Sequence, residues 1–512
     1  MRFRAPSPSG PALLRTAALA AALAAVAPFA LAASPGECSA LTAIALPGTT
    51  VTSATWMPAV APLPEHCRVE GVIGPGQIGF ALQLPSSWNG GLYHAGGGGY
   101  VGFIPSGDAG LAQHFATAAT DTGHKGSGPF GGALDGTWAL GNPQARVDFG
   151  YRAIHVTTVT AKAIAAAYYG SAPGRAYFVG CSRGGGQGLM EAQRFPGDFD
   201  GILVGAPAYD WTEFMQGFNW NARALAGGPV PLGKLSLIAG AVMAECDARD
   251  GLADGLIQDP RRCRFDPVSL LCPGADAPGC LTRDQVTAVR RVYAGPRDSW
   301  GTLISPGFPK GSEDGPGGWG LWISGGVFSP PLQFTFQDQF FRYLVFDDPS
   351  YDPFTFNYDT DQPLLAATGV ILNATDPDLS AFEARGGKIV MYHGTNDHAL
   401  SLYKTIQYYE EVRDAMNAES VQRFFRFFFA PGMHHCAGGP GLDTFDAFTA
   451  LRDWVERGKA PDRIVASSTA VPGRTRPLCP YPREARYKGH GSTEDASSFL
   501  CVPPQGERRG RQ

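Results

Sequence analysis

Beyond its first 33 residues the chain has no apolar run long enough to cross a bilayer, no basic cluster and no C-x-x-C pair. The first absence argues against stable membrane insertion, because a spanning helix takes about 20 apolar residues. The second argues against nucleic acid as a partner, as does a net charge of −5 over 512 residues. The third argues against a zinc–thiolate site for the ten cysteines. Charged residues are scarce, at 17%, while apolar residues make up 44%, so material for a core is ample. The length corresponds to about three domains' worth of chain, and no internal repeat divides it.

The apolar run that does exist is N-terminal. Arg2, Arg4 and Arg15 lead into Ala17 to Leu31, and Ala30-Leu31-Ala32 is a small-x-small cleavage pattern. This predicts a secretory signal peptide over residues 1–32, with Ala33 first in the mature chain. A single membrane anchor is the competing reading, but the run is short and alanine-rich. Removing the leader takes three arginines and no acid, which moves the formal net charge from −5 to −8. The mature part keeps all ten cysteines: Cys38, Cys67, Cys181, Cys246, Cys263, Cys272, Cys280, Cys436, Cys479 and Cys501. An even number in an exported chain favours disulfides, and the expected location is secreted or periplasmic.

Strand-like and helix-like segments then alternate. Ile78 to Leu84 and Leu92 to His94 read as strands, and Val147 to Tyr169 as a helix stopped by Gly170. Ala176 to Val179 is a short apolar strand followed by a glycine-rich turn. A helix over Leu189 to Phe195 and a strand at Ile202 to Val204 come next. This order predicts an α/β class with a parallel sheet. From about Ala208 to Thr375 the rhythm breaks, with four cysteines, many Gly, Pro and Asp residues, and aromatics from Trp319 to Phe356. Sheet character returns at Lys388 to Tyr392 and Arg423 to Phe429. The expected division is therefore a core over 33–207 and 376–512, with residues 208–375 inserted as a lid. The polar, basic tail Gly506 to Gln512 is expected to fray.

Gly180-Cys181-Ser182-Arg183-Gly184 matches G-x-S-x-G. With 67 glycines in the chain the pattern alone says little. Its setting, after an apolar strand and before a helix, is what a nucleophile elbow requires. No lysine follows as in a P-loop, and the spacing is not G-x-G-x-x-G. An α/β-hydrolase orders its triad Ser, Asp, His. After the strand at Lys388 comes His393-Gly394-Thr395-Asn396-Asp397-His398, and after the last strand Pro431-Gly432-Met433-His434-His435-Cys436. Asp397 would orient an imidazole that takes the Ser182 proton. It could instead cap the helix over Ala399 to Asn417.

The cysteines address which histidine serves. Cys181 precedes Ser182 and Cys436 follows His435. A disulfide sets its Cα atoms about 5.5–6 Å apart. If these two pair, His435 becomes the neighbour of Ser182 and His434 faces elsewhere. Cys181 as a buried free thiol is the alternative.

These residues resemble the tannase and feruloyl esterase family, which includes the hydrolase of mono(2-hydroxyethyl) terephthalate. Gly180-Cys181-Ser182-x-Gly184-Gly185 looks like its elbow and His435-Cys436 like its terminal pair. Tyr392-His393-Gly394 with Asp397 looks like its aspartate loop. Arg474 to Pro482, Ala485 to Gly489, and Ala119 to His124 are similar to other stretches of the family. The resemblance spans the mature chain. It implies an α/β-hydrolase core with a large inserted lid and a Cys181–Cys436 bond. It also implies a serine esterase that cleaves hydroxycinnamoyl, galloyl or terephthalate monoesters through an acyl-enzyme. An amidase or peptidase on the same triad, and a non-catalytic binding protein, are the competing readings. Arg183 departs from the family, where Thr or Glu is usual, and Arg183 or a lid residue is expected to meet a polar substituent on the substrate ring.

For the oxyanion hole this fold implies the Arg183 N–H and a second donor from an early glycine loop. Gly96 to Gly99 fits that loop, with Gly97 or Gly98 as the donor. In Cys246 to Leu256 three carboxylates crowd two Asp-Gly turns, and like charges so close call for a counter-ion. The run resembles the family's calcium loop. By that match the ligands of a structural Ca2+ are the side chains of Asp247, Asp250 and Asp254 and the carbonyls of Leu252 and Leu256. Cys246 and Cys263 are expected to close the loop. Trp319, Trp322, Phe328, Phe334, Phe336, Phe340, Phe341 and Tyr343 divide between the lid's own core and a pocket for an aromatic acyl group.

Overall fold

A computed structural model describes residues 34–504. The signal peptide expected over residues 1–32 and the tail Gly506 to Gln512 lie outside the described residues. The centre is one nine-stranded sheet: β1 (Thr49–Met57), β2 (His66–Ile73), β3 (Ile78–Pro85), β4 (Gly91–Ala95), β5 (Ala116–Thr120), β6 (Arg175–Cys181), β7 (Gly201–Gly205), β8 (Lys388–Gly394) and β9 (Phe425–Ala430). Their spatial order is β1-β2-β3-β5-β4-β6-β7-β8-β9.

The sheet is mixed, which corrects the parallel sheet expected from the sequence. Antiparallel pairs join β1, β2, β3 and β5, and the pairs from β5 to β9 are parallel. The parallel strands lie between helices and are buried on both faces, so they read as short continuous apolar runs. The edge strand β1 is mostly exposed, and its Thr and Ser residues hide it from a hydropathy reading.

A helical run begins at Pro143–Val147, widens to a π turn at Asp148–Arg152 and continues as α1 (Ala153–Tyr169). Gly170 ends it at φ 73°, where a left-handed residue is needed. α1 and α2 (Arg183–Arg194) pack against the sheet through Ile154, Ile164, Leu189 and Met190. The helix expected at Leu189 to Phe195 thus starts six residues earlier, directly after Ser182.

Between β7 and β8 the chain builds a second apolar cluster. Trp211, Met215 and Phe218 of α3 (Trp211–Gly227) meet Trp319, Phe340 and Phe341 there. Each fully buried aromatic of this kind is worth about 3–5 kcal/mol against alanine. After β8 comes α4 (Leu402–Met416), and Asn417 at φ 69° closes it. Five disulfides join Cys38–Cys67, Cys181–Cys436, Cys246–Cys263, Cys272–Cys280 and Cys479–Cys501. No single described helix is long and apolar enough to cross a membrane. A central mixed sheet flanked by helices, with its functional loops at the carboxyl ends of parallel strands, is the α/β-hydrolase arrangement.

Candidate active site

The turn after β6 is tight because four glycines, Gly180, Gly184, Gly185 and Gly186, let backbones touch. A Cβ on Gly180 would come within 2.5 Å of the Gly184 carbonyl carbon, and one on Gly186 within 2.0 Å of the Ala208 oxygen. Ser182 itself sits at φ 62°, ψ −123°, a conformation that costs a non-glycine residue about 1–3 kcal/mol. Backbone bonds on both sides hold it: its N–H donates to Gly205 O at 3.0 Å, and its carbonyl accepts from Ala208 N at 2.8 Å. The serine is thereby lifted from the sheet at the first turn of α2.

The loops after β8 and β9 bring the other two residues together. His435 Nδ1 lies 2.8 Å from Asp397 Oδ2. The other carboxylate oxygen accepts the N–H groups of Ala399 at 2.8 Å and Leu400 at 2.9 Å. Asp397 therefore faces an imidazole and closes a turn in the loop, but it does not cap α4, which starts at Leu402 with Ser401 as its N-cap. Burial alone would raise its pKa. The charge on His435 and the hydrogen bonds from His393 and His435 outweigh burial and hold it well below the ordinary carboxylate range. His434 turns away, its Nε2 3.0 Å from Ser312 Oγ. The Cys181–Cys436 bond, with Cα atoms 6.0 Å apart, ties the Ser182 turn to the His435 loop across 255 residues.

Ser182 and His435 line one small cavity of about 40 Å³, together with Gly99, Arg183, Trp211, Phe214, Met215, Phe218, Trp322, Phe336 and Leu400. Its walls are almost wholly apolar, and the Trp322 ring meets His435 edge-on at 5.3 Å. A larger open cleft lined by Gln193, Glu213, Gln216 and Asn373 contains none of these residues and is self-paired and polar. Of the aromatics expected to divide between core and pocket, Trp322 and Phe336 face the cavity. Trp319, Phe340 and Phe341 are buried in the second cluster. The contribution of α3 was missed. Trp211, Phe214, Met215 and Phe218 follow an i, i+3, i+4, i+7 spacing that could have revealed one apolar helix face.

Two expectations need correction. Gly97 cannot offer its N–H to an oxyanion, because that group donates to Gln187 Oε1 at 3.0 Å. Gly98 carries no such bond among the described residues, and Gly99 forms part of the cavity wall. The Arg183 side chain is buried and does not extend into open space, although the residue lines the cavity. Its guanidinium is buried, donates to the carbonyls of Phe149 and Gly150, and lies 4.3 Å from the Phe149 ring centre and 5.4 Å from that of Trp211. Those carbonyls belong to the π turn, whose widened bonding leaves them available. No carboxylate pairs with it, and burial pulls its pKa down to about 9.

In the acidic loop, Asp247 accepts N–H groups of Asp254 and Gly255, and Asp250 those of Leu252 and Gln258. Asp254 pairs with buried Arg476 at 2.7 Å. Burial raises Asp250 to about 6, and the charges of Asp254 and Asp247 add to the rise. A hard divalent cation would relieve that crowding, so the donor set fits calcium in its chemistry. Among the described residues, three ligand atoms within 4.8 Å of one another occur at His155, Glu191 and Asp198 instead, where the Lys162 ammonium also donates to the Asp198 carbonyl.

Residues 66–502 match the family model described as tannase and feruloyl esterase. An esterase of Xanthomonas campestris pv. campestris is 39% identical, over 96% of this chain and 94% of its own. Mono(2-hydroxyethyl) terephthalate hydrolase of Piscinibacter sakaiensis is 37% identical, over 87% and 86%. The crystal structure of feruloyl esterase B from Aspergillus oryzae superposes with a TM-score of 0.81 at 29% identity, covering 91% of this chain and all of that one.

Proposed function

The chain belongs to the tannase and feruloyl esterase family of carboxylic ester hydrolases, and on that premise we propose that Ser182, His435 and Asp397 carry out its reaction through an acyl-enzyme. His435 Nε2 takes the Ser182 hydroxyl proton as Oγ attacks the ester carbonyl carbon. Asp397 keeps the proton on Nδ1 and faces the imidazolium that forms. The carbonyl oxygen becomes an oxyanion beside the N–H groups of Arg183 and Gly98, each worth about 3 kcal/mol in the transition state. Collapse expels the alcohol, which takes its proton from His435. Water then attacks the acyl–serine by the same route and releases the acid. The observation that supports this most is the 2.8 Å contact of His435 with a buried carboxylate, in a loop bonded to the serine turn.

The acyl group is that of an aromatic acid. Indole, phenyl and thioether side chains supply a largely apolar cavity, with Arg183 also among the residues that line it. Hydroxycinnamoyl, galloyl and terephthalate monoesters all present an aromatic ring. Residues 208–375 serve as the lid that supplies these walls. Calcium, held by Asp247, Asp250 and Asp254 with the carbonyls of Leu252 and Leu256, has a structural part away from the chemistry. The N-terminal leader and five disulfides support export.

A rate panel on methyl ferulate, methyl gallate and a terephthalate monoester tests the reading. At least one of the three is cleaved, and Ser182→Ala abolishes turnover by a factor on the order of 10⁴ or more. Turnover that survives the substitution would overturn the assignment.

A further inference from the structure

Asp397 Oδ2 faces two imidazoles. His435 Nδ1 is 2.8 Å away, and His393 Nε2, on β8 and fully buried, is 3.1 Å away. The same His393 nitrogen is 3.1 Å from the Leu400 carbonyl oxygen. Both neighbours are acceptors only, so this nitrogen must carry the hydrogen. His393 Nδ1 lies 2.9 Å from Thr405 Oγ1, in the first turn of α4, whose hydroxyl donates to it. One tautomer is thus imposed from both ends.

We propose that His393 is a positioning residue for the triad: its Nε2–H fixes the Asp397 carboxylate and tempers its pull on the His435 ring. The inference rests on the reading of Asp397 and His435 as parts of one triad. Asp397 accepts three hydrogen bonds, two from backbone N–H groups on Oδ1 and one from His435 on Oδ2, and His393 Nε2 lies 3.1 Å from that same Oδ2, so the carboxylate is held from both sides. A donor on a carboxylate lowers its affinity for a further proton. Without His393, Oδ2 would hold the Nδ1–H of His435 more strongly and favour its imidazolium. The other titratable groups nearby are His398 in the same turn and His434 beyond it, whose rings lie 6.3 Å apart, with Asp314 facing His434. Neither of those histidines hydrogen-bonds Asp397.

The test is the pH profile of kcat/KM on the best aromatic ester, for wild type, His393→Leu, His393→Gln and Thr405→Val. In His393→Leu, kcat falls about tenfold with KM little changed, and the acid limb moves to higher pH by a few tenths of a unit. The glutamine amide places an N–H near the position of Nε2 and returns the limb toward wild type. Thr405→Val removes the hydroxyl that holds Nδ1, loosens the ring and shifts the limb in the same direction as leucine but by less, which keeps the test open if His393→Leu does not fold. Folded variants whose acid limbs all coincide with wild type would overturn the role, as would a glutamine variant that shifts as far as leucine. Ser182→Ala in the same assay separates the cases: residual turnover there sinks the triad, while an inactive Ser182→Ala beside unmoved limbs sinks only His393.

Discussion

Arg183 carries a full charge into an apolar wall without a carboxylate to meet it. Two carbonyls of the π turn and the faces of Phe149 and Trp211 compensate it. Charge-assisted hydrogen bonds contribute about 1.5–3 kcal/mol each, and a desolvated cation–π contact about 2 kcal/mol. The side chain therefore anchors the start of α2, whose first N–H is the proposed oxyanion donor. Arg183→Met should lower the melting temperature and kcat, yet leave the relative rates on neutral and carboxylate-bearing acyl groups unchanged. A selective loss on the carboxylate-bearing ester would return Arg183 to substrate recognition. Ser182, Asp397 and His435 could be singled out in the sequence because each sits in a short loop after an apolar run and two carry an adjacent cysteine. The direction of the Arg183 side chain and of the Gly97 N–H could not, because each depends on a partner far along the chain, the π turn for one and Gln187 for the other.

At the scale of elements, three loops meet at one end of the parallel strands, and a disulfide fastens two of them. Cys181→Ala/Cys436→Ala should reduce kcat well beyond any change in KM, since what is lost is the alignment of hydroxyl and imidazole. A loop tether of this length is also worth about 5.5 kcal/mol by chain entropy, so the variant's melting temperature should fall as well. Full activity in the double variant would show that packing alone holds the two loops. Elements buried on both faces were legible as apolar runs: β4, β6, β7 and β8 all fell where expected. β1 and β2 were not: β1 is an edge strand rich in Thr and Ser with no hydropathy signature, and β2, though largely buried, is broken by His66, Arg68 and Glu70, so the pairing of both is decided by tertiary contacts. The strand expected from Arg423 begins at Phe425, because the preceding residues complete a short helix capped by Asn417.

For the whole molecule, the central sheet and the excursion between β7 and β8 share the cavity, so loss of order in the excursion should reach the chemistry. The acidic loop lies in that excursion, closed by Cys246–Cys263 and held to the C-terminal region through Asp254–Arg476. Chelation should lower the melting temperature by several degrees, and added Ca2+ but not Mg2+ should restore it, with activity at low temperature little affected. An unchanged melting temperature in chelator, in protein shown by elemental analysis to be free of calcium, would exclude the site. The central claim is a covalent one, and the most direct measurement is intact-mass and peptide mapping after brief mixing with an activated aromatic ester at low pH, where deacylation is slow. The account predicts one acyl group per chain, on the peptide holding Ser182, lost on return to neutral pH and absent in Ser182→Ala. An acyl group on another residue, or its persistence in Ser182→Ala, would contradict it.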